Sequence, residues 1–68
     1  MNADEMLEKL GFHKKIKDSW IVYENDKFHS LYFYLNHKNY ACYGHGFDIS
    51  PDLHLAIHTK MKELGWIE

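Results

Sequence analysis

Cys42 and His45 stand with two residues between them, and His54 and His58 lie four apart. Zinc ligands use both spacings, since a close Cys/His pair at a strand end and two histidines one helical turn apart can supply about four N or S donors. Cys42, His45, His54 and His58 are therefore the residues a metal site would draw on. The chain has six histidines among 68 residues, a density at which such spacings arise without a metal, and a small thiol in a strand is commonly a packing residue. Leu55 follows His54 where a zinc hydrolase helix places its glutamate, which removes hydrolytic zinc chemistry. No metal and no cofactor is expected.

Cys42 with any of the histidines, or Ser19 or Ser30 with His29, would make a nucleophile and base on paper. None of them lies on a nucleophile elbow or a glycine-rich turn, and no phosphate loop, dinucleotide fingerprint or calcium loop is present. The chain is not expected to be an enzyme.

The remaining chemistry is aromatic. Leu31, Phe33 and Leu35 alternate with Tyr32, Tyr34 and Asn36, so a strand here turns one face to a core and presents tyrosines on the other. Trp20, Tyr40 and Tyr43 lie on neighbouring strands, with Lys27 and Lys38 at the turns. Such a face suits a protein partner, a second copy of the chain or the bases of a single-stranded nucleic acid, or it is simply the amphipathic outside of a small sheet. Trp20, Tyr32, Tyr34 and Tyr43 are the expected binding residues.

The elements that must carry these residues are marked by their ends. Asn2 with Glu5 three residues on forms a capping box, Met6, Leu7 and Leu10 recur at helical spacing, and Gly11-Phe12 closes a helix over about residues 3–10. Ser50 as N-cap, Pro51 at the first helical position and Asp52 at the positive end of the dipole start a second helix. Its stripe is Leu53, Ala56, Ile57, Met61 and Leu64, and Gly65-Trp66 repeats the stop. Between them, Trp20–Glu24, Leu31–Asn36 and Tyr40–Tyr43 are β-branched and aromatic runs separated by turn residues. The expected fold is α+β, in the order α-β-β-β-α, a three-stranded antiparallel meander with both helices packed on one face. Residues 12–17 either add a short strand or lead in from the first helix. Gly44-His45-Gly46 reads as a flexible joint.

Length and composition bound the rest. Residues 1–68 make one domain with a small core. One cysteine allows no internal disulfide, and the start is polar without an apolar signal region, so a reducing, cytoplasmic setting is expected, with no membrane association. Net charge is −2 and all eight basic residues are lysines. Without arginine, the usual residue for bidentate phosphate and base contacts, nucleic acid is the least favoured partner. The basic cluster Lys14, Lys15 and Lys17 is followed closely by Asp18, Glu24 and Asp26, which dilute its field.

The Leu-Gly-Phe helix stop, the Ile-Val-Tyr-Glu and Leu-Tyr-Phe strands, and the closing helix from Ile-Ser-Pro-Asp-Leu to Met-Lys-Glu-Leu-Gly-Trp carry a likeness to a known group. Along its length the chain resembles small uncharacterised proteins of phages and prophages of Firmicutes. That resemblance implies a short accessory protein with no assigned activity. In layout alone, the order of elements is also similar to HicA-type toxin ribonucleases and to double-stranded-RNA-binding domains. The HicA turn that carries the catalytic histidine matches Asp18-Ser19-Trp20-Ile21, which has none, and the second helix lacks the lysine-rich start of a duplex-RNA binder. The reading is a non-enzymatic accessory protein that binds another protein, or a second copy of itself, through its tyrosine-bearing sheet face; the alternatives are a diverged HicA-like RNA-binding or ribonuclease toxin and a small zinc-binding domain.

Overall fold

The computed structural model describes all of residues 1–68 as α1 (Ala3–Lys9), β1 (His13–Lys17), β2 (Trp20–Glu24), β3 (Ser30–Tyr34), β4 (Asn39–Tyr43) and α2 (Pro51–Glu63). The sheet is an antiparallel meander in the order β1-β2-β3-β4. It has four strands, not three, because His13–Lys17 pairs along β2 in a register running from His13 opposite Glu24 to Lys17 opposite Trp20. Three lysines in five residues hide this strand from hydrophobic patterning, yet lysine is the residue that shields a sheet edge from unwanted pairing.

The helix ends form as their residues dictate. The Asn2 side chain accepts from Glu5 N at 2.8 Å while Glu5 reaches back to Asn2 N at 3.2 Å. Both C-termini are Schellman motifs: Phe12 N donates to Leu7 O at 3.0 Å and Trp66 N to Met61 O at 2.9 Å, with Gly11 and Gly65 at positive φ. Ser50 Oγ accepts from Leu53 N at 3.1 Å to open α2.

The helices run antiparallel on one face of the sheet. Leu7, Leu53, Ala56 and Ile57 meet Ile21, Tyr23, Leu31 and Phe33 in a single core that also takes in Phe12. A second tie is ionic. The Asp4 carboxylate accepts from the Tyr23 hydroxyl at 2.5 Å, from Lys14 at 2.8 Å and from Lys60 at 3.3 Å. Lys60 is only 6% exposed and lies 5.9 Å from the Tyr23 ring centroid. Glu63 accepts from Ala3 N at 2.8 Å, satisfying a free amide of α1 from the end of α2.

The turn between β2 and β3 carries the one large apolar residue that packs on almost nothing. Asn25 Oδ1 accepts from the amides of Lys27 and His29, both at 3.0 Å, and this closure sets Phe28 at φ +60° with 90% of its surface exposed. A bulky residue is strained in that left-handed region. Phe28→Gly is therefore expected to raise stability by about 0.5–1 kcal/mol, the relief of strain less the extra freedom glycine gains when unfolded. Thermal denaturation checks this; an unchanged or lower midpoint would mean that the ring holds the turn.

The segment after β4 is pinned rather than loose. His29 Nε2 donates to His45 O at 2.9 Å, and the His29 ring stacks on Phe47 at 4.5 Å with 4° between planes. A Cβ on Gly44 would lie 3.0 Å from both His29 Cα and Phe28 O, which only glycine avoids.

Candidate protein-binding face

Alternation along the four strands assigns every side chain to a face. Ile21, Tyr23, Leu31 and Phe33 look toward the helices, so Trp20, Val22, Tyr32 and Tyr34 look away. Through the register, Lys15, Lys17, Ala41 and Tyr43 join them on the open face. All four expected binding residues, Trp20, Tyr32, Tyr34 and Tyr43, thus share one surface. Tyr40 does not: it stands opposite Phe33, with ring centroids 5.9 Å apart on the helix side.

The four rings form one connected cluster. Trp20 meets Tyr32 and Tyr34 edge to face at 5.9 and 6.1 Å, Tyr32 and Tyr34 lie side by side at 5.9 Å, and Tyr43 meets Tyr32 edge to face at 5.3 Å. The Tyr34 and Tyr43 hydroxyls are 3.2 Å apart. That hydrogen bond, together with desolvation and the neighbouring phenols, pushes Tyr34 up to about 12, so its hydroxyl stays neutral. Beneath the rings Val22 is buried, although no helix covers this side. Trp20 remains 42% and Tyr43 53% exposed, and with Ser30, Tyr32 and Tyr34 they line an open dish of about 330 Å³. Each ring packs against another, and the cluster is apolar with hydroxyls at its edge, the composition of a protein-binding hot spot.

Two features of this surface escape the sequence. β1 brings Lys15 and Lys17 beside Val22 and Trp20; the signal was the alternation His13, Lys15, Lys17, masked by Lys14 between them. Lys15 is already paired with Glu24 at 2.9 Å. Phe28 sits at the same end of the sheet as Tyr43, its carbonyl against Gly44, and nothing in its local sequence distinguishes it from an ordinary turn residue.

The other candidate residues are kept apart. Cys42 is a half-buried free thiol on the helix side of β4, and burial pushes its pKa up, the opposite of an activated nucleophile. His45 lies in the pinned loop and His54 and His58 on α2. No three His, Cys, Asp or Glu side chains come together in a way that could hold a metal ion. A hollow of about 440 Å³ lies between Phe12, the Asn25–His29 turn and the start of α2. Its His29 ring is committed to His45 and Phe47 and its Ser50 hydroxyl to the helix cap, so no base stands beside a free nucleophile there. Compared with protein families, curated proteins and solved structures, the chain matches none.

Proposed function

We propose that this chain is a non-enzymatic accessory protein, of the phage or prophage kind it resembles, that binds another protein through the open face of its sheet. One observation carries the reading: Trp20, Tyr32, Tyr34 and Tyr43 interlock into a single exposed aromatic surface on the side that no helix covers. Solvent-facing sheet surfaces ordinarily carry polar side chains. Aromatic residues held rigid before binding lose little entropy when a partner lands on them, which is why they dominate interface energetics.

Site-directed photocross-linking in cells that express the protein tests the reading. A photoreactive phenylalanine analogue at Tyr43 is expected to capture a protein other than a second copy of this chain, while the same analogue at Glu8, on the exposed side of α1, is expected to capture none. Equal capture from both positions, or none from Tyr43, would remove the open face from function.

A second reading has one observation in its favour. Lys15 and Lys17 share the open face with the aromatic cluster, the combination by which single-stranded nucleic acid is stacked and neutralised. Two things weaken it: Glu24 already neutralises Lys15, and three of the four ring contacts are edge to face, with only Tyr32 and Tyr34 lying nearly parallel. Titration with single-stranded oligonucleotides, followed by Trp20 fluorescence in a Trp66→Phe background, separates the two. Quenching that weakens steeply with salt would favour nucleic acid.

A further inference from the structure

The two edges of the sheet are built differently. β1 is exposed along its length and carries Lys14, Lys15 and Lys17. β4, Asn39-Tyr40-Ala41-Cys42-Tyr43, has no charge, no proline and no bulge, and its Tyr40 is 42% exposed although it faces the helix side. An uncharged aromatic edge strand is a template for pairing unless something covers it.

The hydrogen-bond phase of the sheet shows what β4 offers. Leu35 N donates to Ser19 O at 2.8 Å and Asn25 N to His29 O at 3.2 Å. Odd-numbered residues of β3 therefore bond toward β2, and Ser30, Tyr32 and Tyr34 bond toward β4. Their partners Tyr43, Ala41 and Asn39 are spent on β3, which leaves the amides and carbonyls of Tyr40 and Cys42 pointing outward from the edge.

The geometry points to a second copy of this chain as the occupant, paired antiparallel through β4 about a two-fold axis at Ala41. In that register Tyr40 of each copy stands opposite Cys42 of the other, and the outward groups exchange four backbone hydrogen bonds. Ala41 meets Ala41 of the second copy as a non-bonded pair, where the strands approach most closely and two methyl groups meet without a clash. Asn39 stands opposite Tyr43. Each bulky residue faces a smaller one and no like charges meet, whereas the same operation at β1 would set lysines against one another. The two-fold lies perpendicular to the sheet, so both aromatic faces end on the same side and a dimer presents one double-width, bivalent surface.

This self-pairing is independent of what binds the open face. A five-residue edge buries little against the ~1,200–2,000 Å² of stable interfaces, so a dissociation constant of about 10–100 μM is expected. Sedimentation equilibrium from about 10 μM to 1 mM should show a mass rising from 8.2 kDa toward twice that value. Tyr40→Lys, which installs at β4 the guard that β1 carries, should hold the mass at the monomer throughout, with an unchanged circular dichroism spectrum. Tyr32→Ser with Tyr34→Ser should leave the dimer intact. A positive test uses Ala41→Cys in a Cys42→Ala background: oxidised glutathione should link two copies through the new thiols, at the ~4.5 Å Cα separation that a disulfide spans. A wild-type monomer at the highest concentration, a dimer that survives Tyr40→Lys, a dimer lost only with the tyrosines, or failure of the cross-link would each overturn the proposal.

Discussion

Asp4→Ala is expected to lower stability by roughly 2–3 kcal/mol, although Asp4 lies in the first turn of a seven-residue helix at the surface. The carboxylate is the only partner of the Tyr23 hydroxyl and the nearest anion to Lys60, whose side chain is 8% exposed. Removing it leaves a buried ammonium with Glu63 at 3.9 Å as its remaining partner, and a charge so placed costs more than the lost attraction. In a domain of this size that loss lowers the thermal midpoint by about 10–20 °C. Asp4→Ala combined with Lys60→Met should recover most of the loss, because the buried charge and its partner leave together. If the double variant is as unstable as the sum of the singles, the network is not the tie between the helices and the sheet.

The same group sets a pH dependence. Partial burial pushes Asp4 up, but the hydrogen bonds from Lys14 and Tyr23 and the charges of Lys60 and Lys14 outweigh it and hold the carboxyl down from its ordinary 3.8 to about 2. A carboxylate with a depressed folded pKa contributes stability that is fully present above its unfolded value and is lost as pH falls through the folded one. Wild type should therefore lose about 1 kcal/mol through this group between about pH 4 and 2, after allowance for solvent screening of a partly exposed carboxylate. Denaturant titrations across that range should show a correspondingly flatter acid limb for Asp4→Ala.

The second large effect belongs to the open face. Tyr32→Ser with Tyr34→Ser should weaken partner binding at least a hundredfold, since central aromatic anchors are worth about 2–4 kcal/mol each and their losses are not additive. The fold should survive, because the core on the helix side, built around Leu31, Phe33 and Tyr23, is untouched. Some stability is expected to go, about 1 kcal/mol, because Val22 loses its cover. Binding and stability are thereby separable at this site.

What could be read from the sequence follows the range of each interaction. Both helices were legible to within a residue or two, because Asn2, Gly11, Ser50, Pro51 and Gly65 act on amides and carbonyls a few positions away. The tyrosine face was legible because period-two alternation within β3 depends on no other strand. β1 was legible only as one of two alternatives for residues 12–17, since a lysine-rich edge is settled only through the strand it pairs with. The side taken by Tyr40 required the β3–β4 register, which a four-residue turn between Tyr34 and Asn39 sets and alternation alone does not. Asp4 and Lys60 are separated by 56 positions, and no local pattern joins them. The zinc-like spacings show the converse: Cys42, His45, His54 and His58 have the right intervals on elements that do not bring them together.

The decisive measurement is a calorimetric titration of the protein captured through Tyr43, against wild type and against Tyr32→Ser with Tyr34→Ser, each first shown to be folded by circular dichroism. The account predicts saturable binding to wild type and a loss of at least a hundredfold in the variant, equivalent to about 2.7 kcal/mol. Equal affinity for the two would contradict it and place the binding surface elsewhere on the molecule.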